Sequence, residues 1–266
     1  MSTMLFKKSY VALQYLRYRL GSATAHDLHS PFVFDFYNNV VKDETPFYAF
    51  SMIEAARSKM ILSDEKILVH DFGTGGKNGA QKKRSVRFIA GHHVKPPKYG
   101  QLLFRMVNAF RPSTILELGT SLGITTMYLA APHSHANVIT VEGCPGTAAA
   151  AKKNFQVSGI KNISQVTGEF SMVLPEILQN NARLDFVFFD GNHRKDTTLN
   201  YFYQCLAKHT EDSVFVFDDI HWSPEMQSAW ETIRQHEAVT LTLDLFFFGV
   251  VFFRKGIPRQ HFVLKY

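Results

Sequence analysis

The chain has 266 residues, 45% of them hydrophobic, and includes 24 phenylalanines, enough for one large α/β domain with an appendage or for two small domains. Its two cysteines exclude a disulfide framework and are typical of a reducing compartment. The longest apolar run, 245–253, is far shorter than the roughly 20 residues that span a bilayer, and residues 1–8 lack the apolar run of a signal peptide. The composition therefore predicts a cytoplasmic protein with no membrane span.

The net charge of +6 is unevenly distributed. Residues 1–111 hold 17 Lys/Arg and 8 Asp/Glu, a balance of +9, whereas residues 112–266 hold 12 and 15, a balance of −3. A basic N-terminal region would attract an anionic substrate, a nucleic acid or a membrane surface. A solvated basic face without any partner is the alternative.

Residues 1–98 are predicted to form a basic, helical N-terminal region that includes a lid. Helices are expected at about 6–20, from Pro31 onward and at about 51–62, and the first has apolar residues at helical spacing with Lys and Arg at the other positions. The glycine-rich stretch at 69–76 superficially matches a nucleotide-binding turn, but no apolar crossover helix follows it. We interpret residues 71–87 as a basic loop beside the active site that continues into a helix, and as a candidate lid.

From residue 99 the pattern alternates between helix and strand, which is typical of a parallel sheet with crossover helices. After a helix at 100–110, strands are predicted at 115–118, 138–141, 163–166, 185–189 and 213–217, and helices at 124–131, 145–158, 171–180, 196–207 and 224–236. Two further strands, within 239–244 and 246–253, are predicted to form an antiparallel pair. The pattern predicts an α/β domain over 99–266 with a seven-stranded sheet.

The most informative segment joins the first of these strands to its helix. The strand ends at Glu117 and Leu118, the turn contains Gly119 and Gly123, and the next strand ends at Glu142. Glycines allow close approach of the backbone to a nucleoside, and an acid at the end of the next strand accepts hydrogen bonds from ribose hydroxyls. A carboxylate two residues before the first glycine would repel a pyrophosphate but suits a cationic amino-acid group. The segment therefore favours S-adenosylmethionine (SAM) over a dinucleotide.

These residues resemble the class I SAM-dependent methyltransferases. The resemblance implies a Rossmann-like, mostly parallel seven-stranded sheet with an antiparallel last strand, plus an N-terminal helical extension. It also implies a set of residues that contact the cofactor: Glu117, Gly119, Thr120, Ser121, Gly123, Thr125, Glu142, Gly143, Gly168, Glu169, Phe170 and Asp190. Among these, Gly168 to Phe170 match the turn that contacts adenine in this family.

Three aspartates follow two later strands. Asp190 comes after the strand at 185–189, and Asp218 and Asp219 come at the end of the strand at 213–217. Because the carboxyl ends of parallel strands meet at one edge of a sheet, we expect these carboxylates to converge. Converging carboxylates repel one another, and a hard divalent cation such as Mg²⁺ removes that repulsion. A helix cap or a surface pair is the alternative for Asp218 and Asp219.

This pattern resembles the catechol O-methyltransferase-like branch, in which Asp190, Asp218 and Asp219 would hold the metal. The general base of that branch is a lysine three residues after the first metal-binding aspartate, and here that position holds His193. Histidine keeps a basic group at the position and is more readily neutral near pH 7 than lysine. The resemblance implies catalytic roles for His193 and Asp190; a structural histidine near the cofactor is the alternative for His193.

The sequence thus predicts a SAM-dependent O-methyltransferase of a small hydroxylated, catechol-like substrate, with a divalent metal. Methylation of RNA or another macromolecule by way of the basic N-terminal region is the alternative, but no nucleic-acid-binding module is recognisable there. A protein that binds SAM without transferring the methyl group is a third reading. The resemblance also makes a homodimer a candidate assembly.

Overall fold

The computed structural model describes residues 2–70 and 81–266, and the side chains from residue 8 onward except that of residue 81. The helices are α1 Ser2–Gly21, α2 Pro31–Phe36, α3 Tyr48–Ile61, α4 Val86–His92, α5 Pro97–Phe110, α6 Ile124–Ala130, α7 Pro145–Ser158, α8 Phe170–Asn180, α9 Lys195–Leu206 and α10 Pro224–Gln235. The strands are β1 Lys66–His70, β2 Gln81–Ser85, β3 Thr114–Leu118, β4 Asn137–Glu142, β5 Ile163–Thr167, β6 Phe186–Phe189, β7 Val214–Asp218, β8 Leu241–Asp244, β9 Phe248–Phe252 and β10 Gln260–Val263. A 3-10 turn, Ala25–Asp27, follows α1, and a π-helical turn, Tyr37–Val41, extends α2.

The predicted α/β class is confirmed, since eight of these strands belong to a mostly parallel sheet. The predicted closing hairpin is also present, because β9 runs antiparallel to both β7 and β8. The sheet has one strand more than the seven predicted. The additional strand, β10, pairs in parallel with β8 at an edge. Its four residues include Gln260 and His261, so it lacks the apolar run by which a strand is recognised in sequence.

The described residues divide into two compact units. Unit 1 contains Met1–Lys42 and Asn181–Tyr266, and unit 2 contains Asp43–Asn180. The predicted boundary at residue 98/99 lies inside unit 2 and remains a prediction about where the methyltransferase domain begins.

Unit 1 is organised around β6 and β7, which are apolar on both sides. All of Phe186–Phe189 and Val214–Asp218 is buried, and the rings of Phe189 and Phe217 stack at 4.3 Å. Strands that are covered on both faces read as continuous apolar runs, which is the signal that predicted them. Their carboxyl ends therefore emerge from a rigid, closely packed sheet.

Unit 2 contains the parallel strands β3, β4 and β5 in that order, and a separate antiparallel hairpin of β1 and β2. The prediction of a basic loop over residues 71–87 is wrong for residues 81–85, which form β2. Their sequence, Gln-Lys-Lys-Arg-Ser, is polar and gives no strand signal. They form a strand because they pair with β1. Residues 71–80, which carry most of the predicted lid, lie outside the described residues.

The turn between β3 and α6 depends on backbone conformations that favour glycine. Gly119 has φ +118° and Gly123 has φ +83°, and Gly123 lies at the N-cap of α6. A Cβ on Gly123 would lie 2.4 Å from the Phe155 ring of α7, in the buried core of unit 2. Glycine is thus required here both by the backbone angle and by the space available.

We predict that Gly123→Ala destabilises the protein more than Gly159→Ala. Gly159 has a similar φ of +72° but nothing within 4 Å of an added Cβ, so its substitution costs only the left-handed strain, about 1–2 kcal/mol. At Gly123 the clash with Phe155 adds about 1–3 kcal/mol. Urea denaturation of both variants measures the difference, and equal losses would contradict this packing.

Candidate active site

The cofactor-side candidates lie in unit 2, where Glu142 holds the glycine turn. Its Oε2 accepts a hydrogen bond of 2.8 Å from the backbone N–H of Ser121, and its Oε1 accepts one of 2.9 Å from the N–H of Cys144. Burial raises the pKa of Glu142, and these two hydrogen bonds act in the opposite direction. The carboxylate is only half-buried, and each oxygen keeps a lone pair that can accept from a hydroxyl group.

Glu117 occupies a different environment. Its side chain is completely buried, and Oε2 accepts hydrogen bonds from the hydroxyl groups of Thr140 at 2.6 Å and of Thr126. Its Oε1 is buried and has no hydrogen-bond partner among the described residues. Burial raises the pKa of Glu117 to about 8, against the two threonine hydrogen bonds and with a smaller contribution from the charge of Glu142. The carboxyl group thus ties β3 to α6 and β4, and the predicted contact with the cofactor remains a prediction.

The turn itself is held by further short bonds. Thr120 Oγ1 lies 2.5 Å from Thr140 Oγ1, and the N–H groups of Gly119 and Thr120 both donate to the carbonyl oxygen of Val141. Ser121, with φ +50°, is left-handed without being glycine, a conformation that costs free energy and persists only where the surroundings fix it. The N–H bond from Ser121 to Glu142 provides that restraint.

The remaining cofactor candidates also lie in unit 2. The N–H of Gly168 donates to the carbonyl oxygen of Glu142 at 2.9 Å, which brings the turn after β5 to the end of β4. Phe170 is buried, Glu169 is exposed, and Thr125 and Gly143 are half-buried. Residues from three consecutive strand ends are therefore linked by hydrogen bonds, and their contacts with the cofactor remain a prediction.

A second cluster lies in unit 1, at the carboxyl ends of β6 and β7. Ligand atoms of Asp190, His193 and Asp218 all lie within 4.8 Å of one another, and His193 Nε2 is 3.6 Å from Asp190 Oδ1. Asp218 is 2% exposed, while the other two are half-buried. Two carboxylates and an imidazole at this separation are a donor set that can hold a divalent cation.

This cluster differs in composition from the one predicted. Asp190 and Asp218 are present, but the third member among the described residues is His193 instead of Asp219. Asp219 adopts a left-handed backbone with φ +54°, and its carbonyl oxygen accepts the N–H of Trp222. Adjacent residues beyond a strand end need not point the same way, and sequence alone does not determine which of the two aspartates faces the cluster.

The loop after β6 is strained in a way that positions His193. Asn192 and His193 have φ values of +66° and +29°, both unusual outside glycine. Asn192 Nδ2 donates to the hydroxyl of Tyr201 at 2.8 Å and so fastens this loop to α9. Backbone strain of this kind is concentrated at functional sites, where surrounding contacts maintain it.

The sequence reasoning missed several supporting residues. Thr126 and Thr140 were not predicted to bind Glu117, nor Asn192 to hold the His193 loop. In unit 1, His221 Nε2 also lies 2.7 Å from Asp244 Oδ2, at the end of β8. These pairs are 9 to 23 residues apart and follow no motif, so only the fold brings them together.

Comparison with known proteins identifies methyltransferases as similar to this chain. Residues 116–220 match a family described as a methyltransferase domain. A catechol O-methyltransferase of Niastella koreensis is 30% identical over 127 residues, which cover 47% of this chain and 57% of that protein. A human transmembrane O-methyltransferase is 36% identical over 86 residues, covering 31% of this chain and 29% of the relative. The chain thus spans less than two thirds of these curated relatives.

Solved structures show the same fold. An O-methyltransferase from Bacillus cereus in complex with SAH aligns with a TM-score of 0.56 and 18% identity, covering 83% of this chain and 96% of that one. The O-methyltransferase TomG from Streptomyces achromogenes, in complex with SAM, aligns with a TM-score of 0.57 and 18% identity, covering 79% and 91%.

The predicted resemblance to the class I SAM-dependent methyltransferases is confirmed, since residues 116–220 match a methyltransferase domain and the similar proteins are O-methyltransferases. Among the described residues, no helix is both long enough and apolar enough to cross a bilayer. The predicted cytoplasmic location stays a prediction.

We predict that Glu117 makes stability fall as pH rises between about 4.5 and 8. Its folded-state pKa of about 8 exceeds the ordinary 4.5, so the folded protein binds this proton more tightly than the unfolded chain. The contribution is fully present below pH 4.5 and is lost toward pH 8, with a slope of at most about 1.4 kcal/mol per pH unit.

Urea denaturation across this interval should show a shallower decline with pH in Glu117→Gln, which cannot ionise, than in the unsubstituted protein. Glu176→Gln, which alters an exposed carboxylate of α8, is the matched control and should leave the profile unchanged. Identical profiles for all three proteins would show that the buried carboxyl does not titrate in this range.

Proposed function

We propose that this protein is a SAM-dependent O-methyltransferase that acts on a small, catechol-like hydroxylated substrate with the help of a divalent cation. The observation that carries the proposal is the Asp190–His193–Asp218 cluster at the carboxyl ends of β6 and β7. It lies in a chain whose β3–β4 region has the glycine turn and strand-end acid of the SAM-binding family.

The unit 2 residues suit the cofactor. Glu142, fixed by the N–H groups of Ser121 and Cys144, would accept hydrogen bonds from the ribose hydroxyls with its remaining lone pairs. The backbone of Gly119 to Gly123 leaves no side-chain bulk at its two glycines and admits close approach of the ligand. Gly168, Glu169 and Phe170 would contact the adenine. SAM supplies a methyl group on a sulfonium, already activated for transfer.

The unit 1 cluster suits a cation for an electrostatic reason. Asp190 and Asp218 bring two carboxylates close together, one of them almost fully buried, and like charges in such a site repel each other. Carboxylate ligands favour Mg²⁺ or Mn²⁺, whereas an imidazole ligand favours Mn²⁺ or Zn²⁺ over Mg²⁺. A bound cation would act as a Lewis acid and template for substrate oxygens.

His193 has two roles open to it in this arrangement, and they exclude each other. As a ligand it would give the cation a nitrogen donor through Nε2, 3.6 Å from Asp190. As a base its neutral imidazole would accept the proton of the substrate hydroxyl, while Asp190 orients the ring. We propose the base role, because the histidine occupies the position of the lysine base in the catechol O-methyltransferase-like branch.

The choice of a small substrate rests on two supports. Among the relatives, one is named a catechol O-methyltransferase and another an O-methyltransferase involved in tomaymycin synthesis. The second support is that the basic N-terminal region contains no recognisable nucleic-acid-binding module. Methylation of RNA remains the alternative, and the kinetic test with a vicinal diphenol separates the two.

We predict that Glu142→Gln lowers the affinity for SAM about 10- to 100-fold, because hydrogen bonds to a charged acceptor contribute roughly 1.5–3 kcal/mol each. Isothermal titration calorimetry measures the change, with Glu176→Gln as the control variant that keeps full affinity. Unchanged binding by Glu142→Gln would remove Glu142 from the cofactor site, and failure of the unsubstituted protein to bind SAM would refute the proposal as a whole.

We predict that His193→Ala cuts turnover of a vicinal diphenol about 100- to 10,000-fold while the affinity for SAM is preserved, as expected for loss of a general base.

Asp218→Asn should abolish activation by Mg²⁺ or Mn²⁺. Asp219→Asn tests whether Asp219 is a further ligand, and it should retain metal activation if Asp190 and Asp218 hold the cation without it. His135→Ala, which changes an exposed histidine of unit 2, is the control.

The outcomes of this kinetic test are distinct. Full activity after metal chelation would contradict the metal-assisted mechanism but not methyl transfer. SAM binding with no turnover of any diphenol, together with methylation of RNA, would replace the proposed substrate by the macromolecular alternative.

A further inference from the structure

Helix α1 is fixed to unit 1 through a face rich in tyrosine. Gln14 and Tyr18 are buried, and the Tyr18 hydroxyl donates to the Leu264 carbonyl oxygen at 2.5 Å while it accepts the Tyr266 N–H at 2.9 Å. Tyr10 donates a hydrogen bond to the Gln227 side chain of α10. The inward face of this helix is therefore built from groups that hydrogen-bond.

The opposite face of α1 is apolar and exposed. Leu13, Leu16 and Leu20 are 47%, 56% and 81% exposed. At about 100° per residue these three positions lie within roughly 60° of one another, and on the side of the helix away from Gln14 and Tyr18. An ordinary surface helix directs its leucines toward the core and its polar groups toward solvent. Helix α1 does the opposite, since its leucines face solvent and its hydrogen-bonding side chains face unit 1.

Basic side chains flank this leucine face. Arg17 lies on one side of it, and Lys8 and Arg19 lie on the other; all three are exposed. The whole of α1 contains no aspartate or glutamate. The exposed part of the helix is therefore an apolar strip with positive charge on both borders.

We propose that α1 binds in the plane of an anionic lipid bilayer surface, with Leu13, Leu16 and Leu20 inserted among the headgroups and Lys8, Arg17 and Arg19 on the lipid phosphates. An apolar strip bordered by cations matches that interface in both hydrophobicity and charge. The helix lies on the bilayer and does not cross it, in keeping with the absence of a spanning helix among the described residues. This binding would keep the protein at the membrane and does not depend on the proposed activity.

A second copy of the chain fits the same face less well. Two α1 helices packed on their leucine faces would bring like charges near one another, and α1 itself has no acidic residue to balance them. Three partly exposed leucines also offer far less than the roughly 800 Å² per partner that a stable interface buries. Lipid phosphates supply the negative charge that a second α1 lacks.

Vesicle co-sedimentation at low ionic strength tests the proposal, with vesicles of phosphatidylcholine alone and of phosphatidylcholine mixed with phosphatidylglycerol. The unsubstituted protein should bind the anionic vesicles, and added salt should weaken binding. Leu13→Gln, Leu16→Gln and Leu20→Gln combined should lower the partition coefficient at least about 10-fold, and so should Lys8→Gln, Arg17→Gln and Arg19→Gln combined.

The matched control replaces three leucine-sized apolar side chains elsewhere on the surface. Leu62, Val157 and Met172 are 75%, 73% and 75% exposed, and their combined substitution by glutamine should leave vesicle binding unchanged. Because all substituted side chains are exposed, we expect every variant to fold, and thermal unfolding of each variant checks this. SAM binding is measured by calorimetry on the same samples. Loss of SAM binding would count against the proposed function, whereas loss of vesicle binding would count against this inference.

Three results would overturn the proposal. The first is absence of binding to anionic vesicles by the unsubstituted protein, and the second is equal binding by the leucine variant. The third is a dimer in analytical ultracentrifugation that the leucine variant converts to a monomer, since this would assign the face to a second copy.

Discussion

A buried carboxyl group near the end of β3 links the strands, the glycine turn and the crossover helix of unit 2. Glu117 bonds to Thr140 of β4 and Thr126 of α6, and Thr140 in turn contacts Thr120 of the glycine turn. One side chain thus connects two strands, the turn and the crossover helix without reaching solvent. The position of the turn, and with it the orientation of the Ser121 N–H toward Glu142, depends on this connection. Burial opposes ionisation of Glu117, so the uncharged acid is the form that the fold stabilises.

The two acids near the ends of β3 and β4 illustrate how environment separates roles. Glu117 and Glu142 end neighbouring strands, but the first is enclosed by threonines and the second is only half-buried between two backbone N–H groups. Each N–H bond favours the charged form of Glu142, whereas the interior disfavours the charged form of Glu117. A half-exposed acceptor is suited to a ligand, and an enclosed acid is suited to holding structure.

In unit 1 the chemistry depends on rigidity in a different way. The strands β6 and β7 are buried along their whole length and are apolar except for Asp218 at the end of β7, so they are fixed mainly by packing. Asp190, His193 and Asp218 emerge from these fixed ends, and the left-handed residues Asn192 and His193 turn the chain back toward them. Such a frame holds like charges near one another at a cost that a bound cation would offset.

The sequence by itself determined the elements whose signals are local. The glycine turn, the strand-end acids, the buried strands β6 and β7 and the helices from α6 to α10 were predicted within a few residues, because their apolar spacing and turn residues act over short distances. The charge of residues 1–111 was equally readable, and so was the resemblance of the later part of the chain to the SAM-dependent methyltransferases.

Only the tertiary structure decided which groups meet. The polar strand β2 forms because it pairs with β1, and β10 forms because it pairs with β8. His193 lies with Asp190 and Asp218 in the observed cluster, where the sequence predicted Asp219. Strand periodicity does not determine the loop conformation beyond a strand end, so the sequence could not predict this. Helix α1 was predicted from the spacing of its apolar residues, but its hydrogen-bonding tyrosine face is the one that packs and its leucines face outward. Periodicity identifies a helix and its faces, whereas the partners available in the fold determine which face is buried.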